Sequence, residues 1–201
     1  MKKRRWLKIG LAALAVIALS TFVLLFLFTG SLLIPLKAIV TNLLSLSATF
    51  GALVYVFQEG NLRWLVGDFT PTGTLETTLP VLVFCIAFGL SMDYEVFLLS
   101  RITEAHRNGA TTTEAVAQGL QRTGGLITAA AAILVTVFLA LAASTLTALK
   151  VIGVGLTLAV VLDATIIRGL LVPAIMRLAG EANWWAPAPL RRLHSRLGLT
   201  D

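Results

Sequence analysis

Five long stretches of this chain are nearly free of charge, and they constrain its fold more than any other feature. Ile9–Phe28, Ala38–Gln58 and Thr123–Leu149 contain no Asp, Glu, Lys or Arg. Leu79–Ser100 is interrupted only by Asp93 and Glu95, and Val151–Met176 only by Asp163 and Arg168. Each run exceeds the roughly 18 apolar residues that mark a bilayer-crossing helix. In hydrocarbon a helix satisfies all of its own backbone groups, which an isolated strand does not. The expected fold is therefore all-α, a polytopic membrane bundle of five transmembrane helices. The spans are expected at about 8–29, 36–58, 79–100, 124–147 and 151–176. Together they form a transmembrane domain over 1–180, followed by a basic cytoplasmic tail over 181–201. Composition agrees: 13% of the 201 residues are charged, where a soluble domain carries roughly 25%.

The net charge of +6 would point to nucleic acid in a soluble protein. Here basic residues flank the spans, where they meet anionic lipid headgroups, so membrane lipids are the expected partner and nucleic acid is not. The single cysteine, Cys85, lies inside the third span, which excludes an intramolecular disulfide and a cysteine metal site. His106 and His194 read as isolated in a loop and in the tail. No metal, cofactor or catalytic residue is expected. MKKRRW followed by an apolar run resembles a signal peptide, but the run is too long for a typical h-region and LFTGS is a poor cleavage context.

The first two spans are joined by GSLLIPLK, with Pro35 where a new helix can begin. Asn42, Ser45 and Thr49 form a polar stripe on one face of the second span, suited to interhelical packing. Ser47 and Gly51, four apart, permit close helix contact. In the loop Glu59–Thr78, Glu59, Asp68 and Glu76 stand against Arg63, and Pro71-Thr72-Gly73 is turn chemistry. Thr111 and Glu114 have capping-box spacing, predicting a short surface helix over TEAVAQGL. The small residues of TGGLITAAAA suit a fourth span packed against its neighbours. Trp184 and Trp185 read as an interfacial anchor, followed by Arg191, Arg192 and Arg196.

Five spans put the two ends on opposite sides. Lys37, Arg101, Arg107, Arg122, Arg177 and the three tail arginines fall on one side, which is expected to be cytoplasmic. Arg63 and Lys150 fall on the other. So does the cluster Lys2, Lys3, Arg4, Arg5 and Lys8, which contradicts the topology of the remainder.

The intramembrane charges bear most directly on function. On a helix, Asp93 lies roughly 12 Å from Arg101 and about 20 Å from Pro80, near the middle of a hydrocarbon core about 30 Å thick. Ile86, Gly89, Val96, Phe97 and Ser100 share its face, and Gly89 leaves room for a partner helix. Tyr94 points about 100° round, within reach of the same polar network. Burial in hydrocarbon disfavours the charged form of a carboxyl, and ionisable residues within spans mark proton relays. Asp93 is the candidate for that role. Glu95, on nearly the opposite face, reads as structural, as do Asp163 and Arg168. Those last two, five apart and about 140° round a regular helix, are not expected to pair with each other. Glu95 and Arg168 share a depth, which predicts a bridge between the third and fifth spans.

FGLSMDYEVFLLSRITE, then AVAQGLQRTGGLITAAAAI, then GVGLTLAVVLDATIIRGLLVPAIMRLAG with WW beyond it, resembles the MMPL transporters of the resistance-nodulation-division superfamily. The resemblance runs from about Gly30 to Trp185 and includes Phe57-Gln58-Glu59-Gly60. It implies a fold of twelve spans in two six-span repeats, each with a large extracytoplasmic domain after its first span. It also implies export of lipids or other hydrophobic molecules driven by the proton gradient. Such transporters pair an Asp-Tyr on the fourth span with an Asp-Tyr on the tenth. Asp93 and Tyr94 match the tenth-span pair, so the five spans correspond to spans eight to twelve, a partial second repeat. The first repeat, the seventh span and both extracytoplasmic domains have no counterpart here. The expectation is a fragment or half of a proton-driven exporter in the bacterial plasma (inner) membrane, completed by a missing transporter half on the same longer chain or a separate subunit, and inactive alone.

Two other readings stay open. A non-transporting scaffold or subunit, homo-oligomeric or bound to partner helices, would hold Asp93 as a buried structural group. An intramembrane aspartyl protease would need two neighbouring aspartates; Asp93 and Asp163 supply the number, but the chain has no GxGD motif.

Overall fold

The computed structural model describes residues 2–67, 69 and 78–196. The turn expected at Pro71–Gly73, with Asp68 and Glu76, lies outside the described residues, as does the tail beyond Arg196. The described residues are helical and contain no strand. In order they form α1 (Lys2–Thr29), α2 (Leu33–Leu53), a π-helical turn (Val54–Gln58) and α3 (Arg63–Val66). Then come α4 (Thr78–Arg107), α5 (Thr112–Ala142), α6 (Thr147–Leu162) and a π-helical segment (Asp163–Leu171). α7 (Val172–Ala179), a 3₁₀ turn (Gly180–Trp184) and α8 (Ala188–Arg196) complete the described residues. Five segments are long and apolar enough to cross a membrane: Ala12–Thr29, Leu33–Gln58, Thr78–Arg107, Thr112–Ala142 and Thr147–Trp184. The protein is a multi-pass membrane protein.

The chain divides into two compact units. Residues 1–40 and 178–201 form one, built around the turn between α1 and α2. α1 ends because Gly30 takes a left-handed backbone (φ 70°) and its N–H closes on the Phe26 carbonyl at 2.8 Å. Ser31 then opens α2, its hydroxyl oxygen accepting from the N–H groups of Leu33 (3.2 Å) and Ile34 (3.4 Å). Pro35 sits in the first turn of α2, as its missing N–H favours.

Residues 41–177 form the second unit, whose core gathers Leu53, Phe57, Val83, Phe138, Leu156 and their neighbours. The polar stripe of α2 turns inward: Asn42, Ser45 and Thr49 are all buried. The Ser47–Gly51 pair does not serve as a contact, since a side chain added at Gly51 would meet nothing within 4 Å. The close contacts lie elsewhere. A Cβ at Gly153 on α6 would fall 2.3 Å from the Ala142 nitrogen and 2.6 Å from the Phe138 carbonyl oxygen, so α5 and α6 meet backbone to backbone. A Cβ at Gly119 would fall 2.4 Å from Ile102 Cγ1, which seats α5 on α4.

α4 ends in a Schellman arrangement. Gly109 adopts φ 93°, and the Ala110 N–H reaches the Ala105 carbonyl at 3.2 Å. Thr111 and Glu114 form the expected capping box, with bonds of 3.3 and 3.0 Å. The helix it starts is not a separate surface helix, however. TEAVAQGL is the first part of α5, which runs unbroken through Gly124-Gly125 into the apolar segment. Nothing lies within 4 Å of a Cβ at either glycine. The packed face of this helix is instead Gly119, Thr123, Ile127 and Ala131.

Candidate functional site: a charged cluster and an open aspartate on one helix

Regular α-helical geometry sorts the residues of α4 onto two faces. Val83, Ala87, Ser91, Glu95, Leu98 and Ile102 recur at three- and four-residue steps and are buried. Leu82, Cys85, Gly89, Asp93 and Val96 form the opposite stripe, left uncovered by the helices of this unit. Tyr94, between the faces, is half-buried. The grouping of Asp93 with Gly89 and Val96 follows the expected helical register.

The inner face meets the π-helical segment of the last span. Asp163, Arg168 and Glu95 are 5, 2 and 4% exposed, so their charges must be met by each other. Arg168 Nε donates to Asp163 Oδ2 at 2.7 Å. The other oxygen, Asp163 Oδ1, accepts from the Ser91 hydroxyl at 2.8 Å. Arg168 Nη2 donates to the Ser91 carbonyl and stands 3.3 Å from its hydroxyl. Nη1 faces Glu95 Oε2 at 3.5 Å, an ion pair without a hydrogen bond. The guanidinium carbon lies 5.4 Å from the centroid of the Tyr94 ring, in cation–π contact.

Asp163 and Arg168 therefore do pair, against the expectation from regular helix geometry. The cause is local. The chain closes i→i+5 hydrogen bonds from Asp163 to Leu171, as in the Val172 N–H to Ile167 carbonyl bond. In that wider turn residues five apart come close to the same face, rather than 140° round it. Pro173 follows in the first turn of α7, and in regular α geometry its ring would clash with the Gly169 carbonyl. The widened turn ahead of it removes that conflict.

The Glu95–Arg168 contact expected from their common depth is present, with both side chains buried within the unit. Sequence reasoning missed Ser91. Its signal was its position four residues before Glu95, on the same helical face. Asp93 and Asp163 are not brought together: Asp163 is bonded to the inner face of α4, and Asp93 is on the outer one. His194, read as isolated, is buried against the Leu27 carbonyl.

The MMPL family model matches residues 2–197. The chain is 50% identical over 190 residues to the membrane protein SCO6666 of Streptomyces coelicolor, covering 94% of this chain and 27% of that one. It is 45% identical over 185 residues to the trehalose monomycolate exporter MmpL3 of Mycobacterium tuberculosis, covering 90% and 19%. It is 39% identical over 177 residues to the mycolic acid-containing lipids exporter MmpL11 of Mycolicibacterium smegmatis, covering 88% and 18%. The chain thus spans between 18 and 27% of the length of these relatives.

Proposed function

The chain belongs to the MMPL family, and from that premise we propose that it forms part of a proton-driven exporter of lipids, with Asp93 and Tyr94 as one side of the proton relay. The observation that carries this reading is the position of Asp93. It is an ionisable residue in the middle of a membrane-spanning helix, on a face that no helix of its own unit covers. Gly89, one turn away on that face, has nothing within 4 Å of a built Cβ and so leaves room for a facing helix. A mid-membrane carboxyl in that setting is suited to meet a partner and exchange a proton with it. The relatives named as lipid exporters support the lipid as cargo.

The buried cluster has a positioning role in this reading. Arg168, held by Asp163 and Ser91, fixes the ring of Tyr94 from the inner side while Asp93 stays open. Two carboxyls, Asp163 and Glu95, share the one guanidinium of Arg168. The remaining transporter, on the same polypeptide or a separate one, supplies the facing half of the relay and the parts that select cargo. The protein lies in the bacterial plasma membrane with its C-terminus cytoplasmic, as the distribution of Lys and Arg between span ends supports once the N-terminal basic cluster at 2–8 is set aside.

The test is lipid export in cells expressing this segment together with the complementary remainder of a relative. Asp93→Asn keeps the shape and removes the titratable group, so export should stop while the protein still accumulates in the membrane. Export at the unsubstituted rate would favour the other class of function, a scaffold in which Asp93 only packs.

A further inference from the structure

The segment after the last span is clamped to the turn between α1 and α2, and the clamp leaves an arginine-bearing face outward. Four hydrogen bonds among the described residues hold it. Asn183, fully buried, takes the Ser31 hydroxyl on its carbonyl and the Lys37 ammonium on its side-chain oxygen. The Leu32 N–H donates to the Trp185 carbonyl at 3.2 Å. His194 on α8, 6% exposed, donates from Nε2 to the Leu27 carbonyl at 2.9 Å, capping one of the orphan acceptors at the end of α1. Its ring stands edge-on to Phe26, 6.1 Å between centroids. It also fills the space beside Gly30, where an added Cβ would lie 3.2 Å from the imidazole.

With His194 turned inward, the neighbouring Arg191 and Arg192 face out, and Trp185 is 57% exposed. An exposed tryptophan directly after a membrane span, followed within seven residues by two adjacent exposed arginines, has the chemistry of a segment that meets lipid phosphates.

We propose that Arg191 and Arg192 on α8, with Trp185, form an anionic phospholipid headgroup site, built and held in place by the His194 and Asn183 clamp. The clamp distinguishes this from a basic tail that attracts lipid by charge alone. A site held by the clamp obeys linkage: lipid that binds the seated α8 stabilises the seat, and loosening the seat weakens the lipid.

The experiment is a titration of the purified full chain in detergent micelles with fluorescent phosphatidylglycerol, and with phosphatidylcholine as the neutral reference. Arg191→Gln and Arg192→Gln should each weaken phosphatidylglycerol binding roughly fivefold, with little change for phosphatidylcholine. Arg107→Gln, an equally exposed arginine outside this unit, should leave it unchanged. His194→Ala should also weaken phosphatidylglycerol binding, although His194 meets no lipid. Unchanged binding in the double arginine variant would overturn the site. Weakened binding in that variant with no effect of His194→Ala would overturn the clamp and leave only a free basic tail.

Discussion

Asp93 and Glu95 are two positions apart, and the helix gives them opposite fates. Asp93 faces outward, uncovered within its unit, and Glu95 is locked against Arg168. The energetics inside the cluster follow from hydrogen bonding rather than from charge count. Asp163 makes a 2.7 Å bond to Arg168 and accepts the Ser91 hydroxyl, whereas Glu95 makes only a 3.5 Å ion pair. Removing one partner of a buried pair leaves an unmet charge, at a cost of about 3–5 kcal/mol. Arg168→Met should therefore lower the apparent unfolding temperature most in micelles, because it strands two carboxyls. Asp163→Asn should cost clearly more than Glu95→Gln, and Asp93→Asn should lie within about 0.5 kcal/mol of the parent. Swapping Glu95 and Arg168 should not restore stability, because the new carboxylate at 168 would face Asp163 across the bond the guanidinium now makes. Equal losses for Asp163→Asn and Glu95→Gln would contradict this ranking.

At the scale of the element, the closest helix contacts turn on two glycines. At Gly153 the obstacle to a side chain is the backbone of α5, which cannot rotate away; at Gly119 the nearest atom is Cγ1 of the β-branched, buried Ile102, with the Ile102 backbone nitrogen next at 3.3 Å. Overpacking typically costs about 1–3 kcal/mol. Gly153→Ala should reach or exceed the top of that range and Gly119→Ala should fall within it. Gly51→Ala, with open space around it, should be neutral, and thermal unfolding of the three variants would check the order. The elements also show what the sequence made legible. Charge-free runs revealed five membrane helices, because length and hydropathy alone decide whether a segment can cross. The register of α4 followed from a constant 100° per residue. The same constant failed in the last span, where the π-helical segment brings Asp163 and Arg168 together, and no pattern of apolar residues marks that change of pitch. Which small residues become contacts was also illegible. Gly51, Gly124 and Gly119 look alike in sequence, and only the third meets a neighbour.

On the scale of the whole molecule, the uncovered stripe of α4 is what the proposed function makes most testable. On the proposed function, the stripe through Cys85, Gly89 and Asp93 is the surface that receives the remainder of the exporter. Cys85, the single cysteine, lies two turns from Asp93 and is exposed, so it reports on that face without any engineered probe. A membrane-permeant maleimide should label it readily in the chain alone and far more slowly once the complementary part of the transporter is assembled. Undiminished labelling would mean that this face is not the docking surface. The contact between α8 and α1 was hidden for a different reason. His194 and Leu27 are 167 positions apart, and nothing local to either marks the contact.

The central claim is that protons pass through Asp93 as lipid moves. It is tested most directly in proteoliposomes holding the assembled exporter, with a trapped pH dye reporting proton entry and lipid export followed in the same vesicles. The account predicts lipid-dependent proton flux that Asp93→Asn abolishes and Asp93→Glu partly restores, with export falling in step. Proton flux and export that persist unchanged in Asp93→Asn would contradict it.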